Sequence, residues 1–142
     1  MKKLALIALA FCALLPGAAR GQNKASDAAA QLNARGAALL KEGKFDEAAA
    51  ELQKAAEAAP TSAVIQSNLA YAYDRQGKTD DAVAAYRKAL ELDPANNIVR
   101  NNLANLYSKQ GHYEDAAREY EDLVQRDPGN AEIGRASCRE RV

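Results

Sequence analysis

The side chains that most often carry chemistry are scarce in this chain of 142 residues and stand apart from one another. The single histidine, His112, directly follows a glycine, and no serine, cysteine or threonine lies where it would make a base–nucleophile pair. It reads as a surface residue of a turn. The acidic pairs Asp80-Asp81 and Glu121-Asp122 are sequence neighbours, so on a helix their carboxylates diverge and cannot share a substrate. The glycines are singletons, which excludes a phosphate-cradling loop. The two cysteines, Cys12 and Cys138, lie near the ends, so the middle of the chain has neither a disulfide framework nor a ligand set for zinc. No catalytic residue, metal or cofactor is expected, and the chain does not read as an enzyme.

Other residues have the chemistry of recognition. Asn68 and Asn102 are 34 apart, and a side-chain amide offers both a donor and an acceptor, so a ladder of such amides pairs with a peptide backbone of any sequence. Tyr71 would add an apolar surface, Asn105 another amide, and Arg75 with Lys109 cations for acidic groups. A plainer reading stands beside this one: the asparagines brace a neighbouring helix and the cations are solvated.

The elements that must position these residues show in the long-range period. Gly43, Gly77 and Gly111 are spaced by 34, as are Pro60, Pro94 and Pro128, and as are Ala48, Ala82 and Ala116. Three residue types sharing one period divide the chain into units 29–62, 63–96 and 97–130. In the third unit, Leu103, Leu106 and Tyr107, then Tyr113, Ala116, Ala117, Tyr120, Leu123 and Val124, recur at spacings of three and four, the stripes of two amphipathic helices. The glycine between them suits a left-handed helix end, and the acids after it (Asp46; Asp80 and Asp81; Glu114 and Asp115) suit the first turn of the second helix. Asp93-Pro94-Ala95-Asn96 and Asp127-Pro128-Gly129-Asn130 read as turns. Gly36, Ala70 and Ala104 are expected to face Ala48, Ala82 and Ala116 at close approach. No hairpin covers its own apolar flank, so the hairpins must stack.

The residues Asn68-Leu69-Ala70-Tyr71-Ala72-Tyr73, Gln76-Gly77 and Tyr86-Arg87-Lys88-Ala89-Leu90-Glu91-Leu92-Asp93-Pro94 resemble the tetratricopeptide repeat, as do Asn102 to Tyr107 and Gly111-His112-Tyr113. The resemblance covers the three units and implies an all-α fold, a right-handed α-solenoid of antiparallel helix hairpins. Departures from the family pattern are Leu32, Gln66 and Arg100 where tryptophan is common, Arg35 for leucine, and Leu123 for a small residue. A polar Arg35 suits a unit with no neighbour before it, whereas the last hairpin is expected to expose Tyr120, Leu123 and Val124. In the family, peptides lie against the first helices of the hairpins. By position these would offer Asn33, Ala37, Leu40 and Lys41, then Val64, Ser67, Asn68, Tyr71, Asp74 and Arg75, then Ile98, Asn101, Asn102, Asn105, Ser108 and Lys109. Peptide binding is assigned to Asn68, Tyr71, Arg75, Asn102, Asn105 and Lys109. The carboxylate clamp of chaperone-binding members is not matched: Asn33 and Ile98 replace lysines, Ala37 replaces an asparagine, and only Asn68 fits.

The termini read differently. Met1-Lys2-Lys3, the 12-residue apolar run Leu4 to Leu15 and the small residues Gly17-Ala18-Ala19 have the layout of a secretory signal over residues 1–21. The run makes about 18 Å of helix, too short for a hydrocarbon core of about 30 Å. Residues 22–28 would be a short lead-in. Residues 131–142 read as a probable non-native tail, Glu132 to Val142 resembling a translated sequencing adapter, which would leave the natural protein to continue further. Between signal and tail, 13 basic face 17 acidic residues, a net charge of −4, which excludes the basic face of a nucleic-acid binder. The expectation is therefore an exported, periplasmic scaffold that binds a protein or peptide partner, with no membrane span after signal cleavage. Its rivals are a docking arm of a larger exported enzyme and a self-associating envelope-assembly subunit.

Overall fold

The computed structural model describes residues 17–126, with side chains from Lys24 onward. Residues 1–16 of the expected signal, Pro128 and the expected C-terminal tail lie outside the described residues. Six helices follow in order: α1 Gly17–Lys41, α2 Phe45–Ala58, α3 Ala63–Gln76, α4 Thr79–Leu92, α5 Asn97–Gln110 and α6 Tyr113–Arg126. Each packs on its neighbours in sequence, and α1 also touches α3. The result is an all-α stack of three antiparallel hairpins. The second and third units begin where the period places them, at the first residues of α3 and α5. Residues 22–28 are helical, part of an α1 that runs 25 residues, against 14 for each later helix.

The helix ends follow from local chemistry. At the joints between hairpins, Ser62 Oγ accepts from the Ile65 amide at 3.4 Å, and Asn96 Oδ1 accepts from the Val99 amide at 3.2 Å, capping α3 and α5. Inside the first two hairpins no side chain caps the second helix, and acids in the first turn of α2, α4 and α6 meet the positive end of its dipole. Gly77 and Gly111 have φ of 76° and 80°, and the following amide closes the turn, Lys78 N–H donating to Tyr73 O at 2.9 Å.

Small residues set the closest approach. Ala48, Ala70, Ala82 and Ala104 are completely buried, and Ala116 nearly so. Gly36 is tighter still: a Cβ there would lie 2.5 Å from Leu52 Cγ, a side chain that is itself fully buried. Tyr86, Leu103 and Leu106 fill the space between the second and third hairpins, each such burial contributing about 1.5–3 kcal/mol.

One position breaks the apolar logic. Where the units carry Leu32, Gln66 and Arg100, Leu32 is half-buried while Gln66 and Arg100 are 4% and 7% exposed. Arg100 Nη1 donates to Glu119 Oε2 at 2.7 Å and Asp122 Oδ2 at 3.1 Å, and Nη2 donates to Pro94 O at 3.1 Å. This guanidinium ties α5 to α6 and to the preceding turn. Arg35, the other polar departure, stays exposed and pairs with Glu51 at 3.4 Å. On α6, Leu123 is buried and Tyr120 and Val124 are half-buried, less open than expected; Tyr113, at 64% exposure, is instead the open residue of that helix.

Candidate peptide-binding face

Helix α3 buries Ile65, Gln66, Leu69, Ala70 and Ala72, and α5 buries Val99, Arg100, Leu103, Ala104, Leu106 and Tyr107. Residues 64, 67, 68, 71, 74 and 75, with their counterparts 34 further on, are therefore left on the opposite side. Asn68, Tyr71 and Arg75 lie on α3, and Asn102, Asn105 and Lys109 on α5, the first helices of the second and third hairpins.

Their partners differ. Asn68 Nδ2 donates to Asn33 Oδ1 of α1 at 2.9 Å, so this amide does brace the neighbouring first helix. Asn105 Oδ1 accepts from the Tyr120 hydroxyl at 2.7 Å. Lys109 Nζ reaches back to Asp74 Oδ1 at 3.3 Å, a pair whose lysine is 59% exposed and which therefore contributes at most about 1 kcal/mol. Arg75 lies with its guanidinium 5.1 Å from the centre of the Phe45 ring, at the rim of the stack. Tyr71 is 40% exposed and makes no side-chain hydrogen bond among the described residues. Beneath it, Tyr86 is completely buried. Burial first, then the nearby Asp74 carboxylate, pushes the Tyr86 phenol well above its ordinary value, and Asn102 acts the other way. Asn102 thus lies close to the hydroxyl, although no contact to it has full hydrogen-bond geometry.

Two apolar residues of this face are more exposed than Tyr71. Val64 is 59% and Ile98 75% exposed, at the same position of successive units. Their signal in the sequence is a β-branched residue just inside each first helix, one step before the buried stripe begins. His112, as expected, is an exposed turn residue, its ring centre 6.3 Å from that of Tyr107. Among the described residues no cluster of metal-ligating side chains occurs, and no helix is long and apolar enough to cross a membrane. The face is an open surface between side chains. It suits extended contact with another chain better than enclosure of a small molecule.

Two family models, both described as tetratricopeptide repeat, match residues 26–95 and 75–137. The chain is a tetratricopeptide-repeat protein. Solved structures of similar fold include the first tetratricopeptide domain of Spaghetti (RPAP3) bound to the HSP90 peptide SRMEEVD. That domain is 27% identical with a TM-score of 0.75, over 81% of this chain and 90% of that one. The OM64 tetratricopeptide domain of Arabidopsis is 18% identical with a TM-score of 0.77, over 83% and 99%. MamA is 24% identical with a TM-score of 0.70, over 80% and 69%. The last two speak to fold alone. Comparison with curated protein sequences gives no match. The face just described is built by the first helices of the hairpins.

Proposed function

We propose that this protein is an exported interaction scaffold that binds a peptide segment of its partner along the first helices. The observation that carries the reading is the placement of exposed apolar side chains. Of the five large hydrophobic residues left exposed among the described residues, Val64, Tyr71 and Ile98 belong to this one face, the pattern of a surface kept for a partner. Amides surround them: Asn68, Asn102 and Asn105 supply donors and acceptors, and Lys109 and Arg75 add charge along one edge. The solved Spaghetti domain holds a peptide on the same fold, which supports the class of ligand. This chain places Asn33 and Ile98 where a carboxylate clamp needs lysines, and Ala37 where it needs an asparagine. Its peptide is therefore recognised through apolar side chains and backbone, not through a terminal carboxylate. A preformed face loses little freedom on binding, so several weak contacts add to useful affinity. The signal-like start supports export to a periplasm.

The test is peptide selection from a displayed random library on the purified chain, repeated on a Val64→Asp, Ile98→Asp variant. Both positions are exposed, so the variant should melt within about 2 °C of the parent while the selected peptides lose at least about tenfold in affinity, or 1.4 kcal/mol. Peptides that bind parent and variant equally well would remove this face as their site.

A further inference from the structure

The first helices carry two rows of exposed side chains, each built from one residue per unit. Ala30, Val64 and Ile98, one period apart, make an apolar row. Lys41, Arg75 and Lys109, also one period apart, make a cationic row in the last turns of α1, α3 and α5. Neither Lys41 nor Arg75 has a carboxylate partner among the described residues, and Lys109 reaches Asp74 at 3.3 Å. The two rows stand about 16 Å apart along the helices, and Tyr71 and a band of carboxamides lie between them. Those carboxamides are half engaged. Asn68 Nδ2 donates to Asn33 Oδ1 at 2.9 Å, and Asn105 Oδ1 accepts from the Tyr120 hydroxyl at 2.7 Å. Asn68 Oδ1 and Asn105 Nδ2 have no partner among the described residues, and neither atom is sealed from water.

These features select the backbone conformation of a ligand. An α-helix bonds its own main-chain groups to one another, so it would desolvate the open amide ends without pairing them. An extended ligand brings free N–H and C=O groups that a carboxamide can meet. Spacing then decides between a β-strand and polyproline II. The Asn68–Asn33 and Lys109–Asp74 contacts hold successive first helices side by side, so neighbours within a row stand about 8–10 Å apart. A strand repeats its facing side chains every second residue, about 6.7 Å, and its third residue points away. Polyproline II returns to the same side every third residue, about 9.3 Å, and so can set one side chain on Val64 and the next on Ile98. Its three-fold symmetry also gives a second row of side chains for the cations and a third for solvent. Tyr71, exposed between the rows, is the kind of aromatic surface on which such segments dock.

We infer that the partner segment is a polyproline II stretch with an apolar side chain at every third residue and a carboxylate at every third residue. Its apolar row lies across Ala30, Val64 and Ile98, and its acidic row follows Lys41, Arg75 and Lys109. This rests on the proposed peptide-binding function and adds to it the conformation, the period and the charge of the ligand.

The experiment titrates the full chain by calorimetry with four repeats of Leu-Pro-Glu, acetylated and amidated so that no terminal carboxylate takes part. Saturable binding is expected, with a loss of at least about tenfold on Val64→Asp, Ile98→Asp and again on Lys41→Glu, Arg75→Glu. All four positions are exposed, so circular dichroism should show both variants folded. Four repeats of Leu-Pro-Lys should fail on the parent and bind the Lys41→Glu, Arg75→Glu chain, an exchange that a merely sticky surface would not reproduce. A peptide of the same composition with its four leucines at alternate positions should bind at least about tenfold more weakly. The inference is overturned if the Leu-Pro-Glu peptide does not bind at millimolar concentration, if the alternating peptide binds equally well, or if the charge exchange has no effect. Where library-selected peptides nevertheless depend on Val64 and Ile98, the face stands and only this ligand is wrong. Where none depends on them, the face falls and the inference with it.

Discussion

Arg100 is the most informative residue to change, because its cost separates charge from volume. Its side chain is 9% exposed and bridges two carboxylates of α6 as well as the Pro94 carbonyl. Those carboxylates are not sealed: Glu119 is 23% and Asp122 51% exposed, so water replaces part of what they lose and the penalty of a fully buried broken pair does not apply. Arg100→Ala removes three hydrogen bonds, leaves a gap between α5 and α6, and uncovers the Pro94 carbonyl. Together these should cost about 2–3 kcal/mol. Arg100→Leu keeps most of the volume, and the first unit already holds Leu32 at this position, so its cost should stay near about 1 kcal/mol. For a domain of this size, each kcal/mol moves the midpoint by about 4–8 °C, so the alanine variant should melt on the order of 10 °C lower. Urea denaturation followed by circular dichroism gives the totals, and amide exchange over α5 and α6 shows whether the loss is confined to the third hairpin. If leucine costs as much as alanine, the ion bridge and not the filled volume holds the hairpin. If alanine costs under about 0.5 kcal/mol, the typical surface value, the residue contributes nothing and the reasoning fails.

Gly36→Ala should destabilise by about 1–2 kcal/mol in a denaturant melt, because overpacking against Leu52 exceeds the gain of about 1 kcal/mol in helix propensity; adding Leu52→Ala should make the glycine change stabilising in that background. Tyr86→Phe should be neutral or stabilising by up to about 1 kcal/mol, since the hydroxyl is buried without a well-formed bond, and a larger loss would mean that Asn102 satisfies it. The same variant tests the pH dependence. The folded phenol titrates above its unfolded value, so its contribution is fully present below about pH 10 and is lost as pH rises past that point, by up to about 1.4 kcal/mol per unit. The parent should lose stability above pH 10 more steeply than the phenylalanine variant.

Much of this architecture is legible in the chain because the same instruction is written three times. The left-handed glycines, the first-turn acids and the prolines at the joints each act within a few residues, so period and local chemistry agree on where each hairpin turns and where the second and third begin. The candidate face is legible only in outline. Position on a helix tells which side Asn68 or Lys109 occupies, but not that Asn33 and Asp74 engage them, because those pairings depend on how far one first helix slides along the next. Arg100 escapes for a related reason. Its partners lie 19 and 22 residues ahead, and only the crossing of two antiparallel helices brings them together.

The turns at Gly43, Gly77 and Gly111 hold nearly the same φ, 76°, 76° and 80°, with open space around each glycine. Each hairpin thus turns through nearly the same glycine torsion, and each turn helps to set where the following helices lie. A small torsional change at one bend is inherited by every rung beyond it, shifting Val64 relative to Ile98 without touching either. Selection can in this way retune the pitch and reach of the recognition surface from residues that never meet the ligand, and two such proteins with the same contact side chains can differ in what they hold.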